Sequence, residues 1–133
     1  MLKKIFCAAF LCAAIIFVGD AKVFAQDVWI HTDRKSGTEY YVMTETLTTD
    51  YIPNRHTGKL NFEAYVKYVR NSSLLAKKKF HVFEGEAAFS YRIDDSEEIW
   101  YPTRGPVESE IAYAFSNYCH KHFNVGDYFR MVG

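Results

Sequence analysis

The sequence predicts an α+β fold that is mainly β: an antiparallel sheet of five or six strands, curled or closed into a small barrel, with one C-terminal helix packed on it. Three observations predict it. Leu60, Phe62, Ala64, Val66 and Tyr68 alternate with Asn61, Glu63, Tyr65 and Lys67, the period of a strand with one buried face. Runs rich in Tyr, Val and Thr are separated by turn chemistry such as Pro53-Asn54, Thr57-Gly58 and Asp94-Asp95-Ser96. After Pro106 the apolar residues change to 3-4 spacing, the period of a helix.

The chain opens on Lys3-Lys4, an uncharged apolar run from Ile5 to Val18, and Val23-Phe24-Ala25 before Gln26. A basic start, an apolar stretch and an A-x-A-like site are the layout of a secretory signal peptide, here residues 1–25. Cleavage after Ala21 is the second choice. The apolar run is 14 residues long, short of the roughly 20 a membrane-spanning helix needs. Cys7 follows Phe6 and Cys12 follows Leu11, whereas lipid attachment calls for a small residue before the cysteine. Residues 26–133 then form one domain, able to bury a modest core. No second apolar segment spans a bilayer. The leader holds Lys3, Lys4 and Lys22 against Asp20, so a neutral whole chain leaves a mature net charge near −2. Nothing in that balance favours nucleic acid or an anionic membrane surface as the partner.

Cys119 is the one cysteine left after cleavage, so an internal disulfide is ruled out in a size class that often relies on them. Stability falls to the core, and all ten Tyr and both Trp lie in the mature part. Large aromatic rings dominate small cores.

Val28 to Asp33 reads as the first strand and His31 to Gly37 runs into a polar turn. Thr38 to Thr48 reads as the second strand, with Tyr41, Met43 and Leu47 on its more apolar face. The chain reverses between Thr49 and Lys59, and Leu60 to Arg70 is the third strand. Asn71-Ser72-Ser73 is another turn. Lys77 to Phe83 and Ala87 to Ile93 form a long strand or a bent pair, with Gly85 marking a bulge or corner. Glu98 to Tyr101 is a short strand stopped by Pro102. The helix runs over about 106–123: Pro106 suits its first turn, Glu108 and Glu110 its positive end, and Asn124 and Gly126 its stop. Ile111, Phe115, Tyr118, Cys119 and His122 share one face, and Tyr128 to Val132 reads as a docking strand.

Few residues carry chemistry. Cys119 and His122 stand three apart on the helix, and both are metal-ligand types. No paired motif supplies further ligands, so the simpler expectation is a small buried Cys119 and a capping His122. The cluster Asp94, Asp95, Glu97 and Glu98 offers oxygen ligands for calcium, but without the glycine and spacing of a binding loop it reads as a solvated turn. Lys77-Lys78-Lys79 reads as protection of a sheet edge rather than a phosphate site. Trp29, Trp100, Tyr101 and Tyr51 are the aromatic contact candidates; core packing is expected of the tryptophans, and Tyr51, in a loop, is the better contact. The sequence lacks G-x-S-x-G, H-E-x-x-H, P-loop and C-x-x-C motifs, and it implies no cofactor.

Trp29 in the first strand, Glu39-Tyr40-Tyr41-Val42 in the second and Tyr65-Val66-Lys67 in the third resemble the small exported bacterial proteins of the surface-adhesin E type. The resemblance covers roughly residues 27–101 and implies a compact β-rich domain on or near the cell envelope, without assigning a functional residue. The expected function is a secreted, periplasmic or envelope-associated, non-catalytic domain that binds a protein or a surface glycan. An exported metal-dependent protein or enzyme using Cys119 and His122 is the alternative, and a small-ligand carrier is a third.

Overall fold

The structure, a computed structural model, describes residues 27–53, 55 and 58–125. The expected leader at 1–25, His56, Gly126 and the expected strand at 128–132 lie outside the described residues. The strands are β1 (Asp27–Asp33), β2 (Thr38–Met43), β3 (Thr48–Thr49), β4 (Lys59–Arg70), β5 (Ser73–Gly85), β6 (Phe89–Ile93) and β7 (Ile99–Trp100), followed by helix α1 (Val107–His122). They form one antiparallel sheet in the order β1-β2-β4-β5-β6-β7, with β3 paired to β4. The sheet is unclosed, with β1 and β7 at its two margins. It is therefore not the barrel form of the expectation. It curls far enough that β1 also lies against α1.

The expected second strand breaks at Met43. Thr44–Thr46 form a single 3-10 turn, and β3 resumes along the same flank of β4. The Thr46 hydroxyl donates to the Met43 carbonyl (2.7 Å) and accepts the Tyr65 backbone N–H (2.9 Å). A side chain thus stands in for the missing ladder partner, which keeps the strand amide satisfied. The apolar face of β2 also differs from expectation. Tyr40 and Val42 enter the core and Tyr41 is half-buried on the opposite face, although Met43 is buried too. Both faces of this segment carry apolar residues, so only the position of the helix decides which one is covered.

The core lies between the sheet and α1. Leu60, Phe62, Ala64 and Val66 of β4 and Phe80 and Val82 of β5 meet Ile111, Phe115 and Cys119 of the helix. Phe62, Phe80 and Phe115 are fully buried, and each such ring contributes about 1.5–3 kcal/mol of transfer free energy. Phe62 stacks on Phe123 at 5.8 Å and Phe89 on Tyr113 at 4.6 Å.

Local chemistry sets the connections. Asn71 and Ser72 have φ of 51° and 65° between the closing pair Arg70 and Ser73. Positive φ at both central residues is the mark of a type I′ hairpin turn, whose twist matches that of the strands. The Asp94 backbone N–H donates to the Lys79 carbonyl (2.8 Å), and its carboxylate accepts the Lys79 N–H (2.9 Å). Asp94 thereby ends the β5–β6 ladder. Residues 73–78 of β5 project past it with no strand paired on that side among the described residues. Lys77 and Lys78 stand on this open edge, in keeping with an edge-protecting role. At the end of α1, Val125 N–H donates to the His120 carbonyl and Asn124 N–H to the Lys121 carbonyl, with Asn124 at φ 55°. This is a Schellman motif with Asn in the left-handed position, and buried Val125 makes its apolar contact.

Candidate functional site

Two arrangements stand out, one exposed and one buried. The exposed one is the margin of the sheet at β6 and β7. Phe83, Ser90 and Trp100 lie in one row across β5, β6 and β7 on the face away from the helix. The Trp100 ring meets Phe83 edge-on at 5.8 Å and Tyr101 at 6.2 Å. Ile99 is 45 % exposed, Trp100 49 % and Tyr101 66 %. Three consecutive large apolar side chains thus face solvent. Trp29, on the same face at the opposite margin, is 52 % exposed, and its indole N–H donates to the Thr32 hydroxyl (2.8 Å). The expected core packing of both tryptophans is therefore corrected. They lie on the outer strands, on the face the helix does not reach.

Tyr101 has φ 51°. A non-glycine residue in the left-handed region costs roughly 1–2 kcal/mol, and the proline at 102 restricts it further. The surroundings hold it there. Its N–H donates to the Phe89 carbonyl (2.8 Å), and the Tyr113 hydroxyl donates to the carbonyl of buried Pro102 (2.7 Å). The next residues are clamped by Glu110, whose carboxylate accepts from Gly105 N–H (2.7 Å) and from the Arg104 guanidinium (2.7 and 3.1 Å). The Gly105 amide, and then Arg104, hold the Glu110 carboxyl below its usual range. Arg104 also lies over the Tyr113 ring at 4.4 Å.

The buried arrangement joins sheet to helix. Glu84, opposite Leu60 and Phe89 on the covered face, is buried. It accepts a short hydrogen bond from the Ser116 hydroxyl and pairs with His120 Nε2 at 2.8 Å. A groove of about 530 Å³ beside it is lined by Phe89, Tyr113, Asn117 and Lys121 as well. The three residue types suggest a nucleophilic triad, but the order is wrong. In a triad the imidazole lies between hydroxyl and carboxylate and takes the hydroxyl proton. Here the carboxylate is in the middle, so Ser116 donates to Glu84. The arrangement satisfies a buried charge and docks the helix.

The remaining candidates are dispersed. Cys119 is fully buried among Phe62, Phe115 and their neighbours, and burial pushes its thiol well above the ordinary value. His122 is exposed. Its ring meets Phe123 edge-on at 4.8 Å, and Nδ1 lies 3.2 Å from the Tyr118 hydroxyl. It neither shares the buried helix face with Cys119 nor caps the helix, whose last carbonyls are met by the Schellman amides. Ser109 and Ser116 take buried positions on that face instead. Tyr51 is half-buried and packs against the core. Asp94, Asp95, Glu97 and Glu98 form a turn in which Asp94 caps Lys79 and Glu98 accepts the Ser90 hydroxyl (2.5 Å). Among the described residues no group of three or more His, Cys, Asp or Glu could hold a metal ion, and no helix is long and apolar enough to cross a membrane.

Sequence reasoning missed Glu84, Ser116 and His120 as a group. Glu84 follows Phe80 and Val82 at period 2, which places it on the core face, and Ser116 and His120 are four apart on the helix. The signal was a carboxylate continuing an apolar alternation, but its partners lie more than 30 residues away.

No family model matches the chain, and no curated protein or solved structure matches it either.

Proposed function

We propose that this chain is an exported, envelope-associated, non-catalytic β domain that binds a protein or surface glycan through the Ile99–Tyr101 margin of its sheet. The observation that carries the reading is the strained, clamped exposure of Tyr101 beside Trp100. Large apolar side chains in solvent on a rigid support are the pattern of contact anchors, and strain held by its surroundings concentrates at functional sites. The layout of residues 1–25 supports export. The resemblance to surface-adhesin E-type proteins supports an envelope setting, and its segments are neighbours in the sheet: Trp29 pairs with Tyr41, and Tyr41 with Lys67.

The test has two parts. The intact mass of the protein recovered from a secreting host should correspond to a chain beginning at Gln26; recovery only as an uncleaved chain inside the cell would remove export. A photo-crosslinking residue in place of Tyr101 should give a discrete adduct on cells, whereas the same residue in place of exposed Glu45 should not. Equal labelling from both positions would defeat the binding assignment.

A further inference from the structure

We propose that the end of the sheet bearing the β4–β5 turn docks on an anionic lipid surface, with Leu74 and Leu75 entering the bilayer interface. Leu74 is 58 % exposed and Leu75 50 %. They follow the turn at Asn71-Ser72 in the part of β5 that projects beyond β6. The register Val69↔Leu74 and Tyr68↔Ala76 leaves Leu75 as an extra residue, so the bulge sets two successive leucines on the projecting tip.

The charge around this tip is mainly basic. The β1–β2 turn lies beside it, because the Arg70 guanidinium donates to the Thr38 hydroxyl (3.0 and 3.2 Å). The two connections, residues 34–37 and 70–73, contribute exposed Arg34, Lys35 and Arg70; the carboxylates beside them are Asp33, which accepts the Ser36 hydroxyl (2.6 Å), and Glu39, which lies opposite Val69 and accepts the Tyr41 hydroxyl (2.9 Å). Between Glu63 and Glu84 the chain has no acidic residue. The acidic turn beginning at Asp94 joins β5 at Lys79, five positions behind Leu74. At about 3.3 Å per residue that is roughly 17 Å, about two Debye lengths at physiological ionic strength. With exposed Lys77 on β5, four cations (Arg34, Lys35, Arg70 and Lys77) stand against the two carboxylates of Asp33 and Glu39, so a near-neutral chain presents a locally basic, leucine-tipped end.

Apolar side chains ringed by Lys and Arg are the composition that binds the interface of anionic bilayers. The leucines supply apolar burial, and the cations are drawn to the lipid headgroups. A projecting hairpin can insert two side chains without opening the core. This surface is separate from the Ile99–Tyr101 margin, and it holds whether or not that margin binds a partner.

The test uses the full chain with phosphatidylglycerol and with phosphatidylcholine vesicles, read by co-sedimentation and by hydrogen exchange resolved to peptides. Because the exchange readout is local, the apolar run at 5–18, common to all variants, does not decide the outcome. Phosphatidylglycerol should slow exchange over residues 70–78, and phosphatidylcholine should not. The pair Leu74→Ser and Leu75→Ser, and separately Arg34→Ser with Lys35→Ser, should each weaken the local protection about tenfold. All four positions are exposed, so the variants keep the fold. Protection confined to other peptides, or equal protection by both lipids, would overturn the proposal. So would binding of single-stranded DNA at this end that is as strong as binding of lipid and indifferent to the leucine substitutions, since that marks a polyanion patch.

Discussion

The two faces of this sheet come from the same strands, yet they dispose of their aromatic groups in opposite ways and settle their charges with different partners. On the face under α1, aromatic rings disappear into the core and the carboxylate of Glu84 is met on both oxygens by the helix. On the other face Trp29 and Trp100 stand in solvent, and charges meet as pairs between strands: Lys67 with Asp27 at 2.7 Å, which is buried, and Lys79 with Glu63 at 3.7 Å, which is exposed. Lys77 and Lys79 also lie over the ring of Tyr65 at 5.2 and 6.0 Å. The contrast separates two uses of a tyrosine- and phenylalanine-rich sequence. Rings that meet the helix supply stability. Rings that miss it are available for contact and, half in solvent, supply less stability.

Substitutions can break that contrast, and the largest effect belongs to the covered face. Phe62→Ala should cost about 3–5 kcal/mol in chemical denaturation, because the ring is fully buried against Phe123 and His120. A cost below about 1 kcal/mol would mean the face is loosely packed.

Next comes the buried carboxylate. Glu84→Leu leaves the Ser116 and His120 donors without their acceptor and should cost about 1–3 kcal/mol. Adding Ser116→Ala and His120→Phe should recover much of that loss, since removing all partners of a buried polar group is far milder than removing one. Additive losses in this cycle would show that the three residues do not act as a unit.

A smaller effect sharpens the reading of the exposed margin. Tyr101→Gly relieves the positive φ, whereas Tyr101→Ala keeps it. The glycine variant should be the more stable of the two by up to about 1 kcal/mol, while both lose the contact side chain. The reverse order would mean that Tyr101 is not strained. Trp100→Ala removes a half-exposed ring and its edge-on contact with Phe83 and should cost about 1 kcal/mol; a loss as large as that of Phe62→Ala would abolish the distinction between the faces.

The smallest effect is on pH. Glu110 is held below the ordinary carboxylate range, so its clamp on the 102–105 loop is complete above that range and is lost as pH falls through its lowered value. Exchange of the Gly105 amide should accelerate on that acid side. A rate following only the intrinsic pH dependence would show that the clamp is not held in solution.

The period of Leu60–Tyr68, the turn at Asn71-Ser72 and the helix opened by Pro106 were all readable along the chain, because period, turn chemistry and capping are local properties. Trp100 and Tyr101 are among the aromatic candidates readable in the sequence, but the sequence predicts core packing for Trp100 and puts Tyr51 ahead of both. Which face of β2 is buried, that both tryptophans face solvent, and that His122 turns away while His120 reaches Glu84 were decided only by the path of α1 across the curled sheet. Alternation assigns residues to opposite faces but does not say which face is covered. That choice rests on contacts between elements dozens of residues apart, whose energies appear only once the helix has docked.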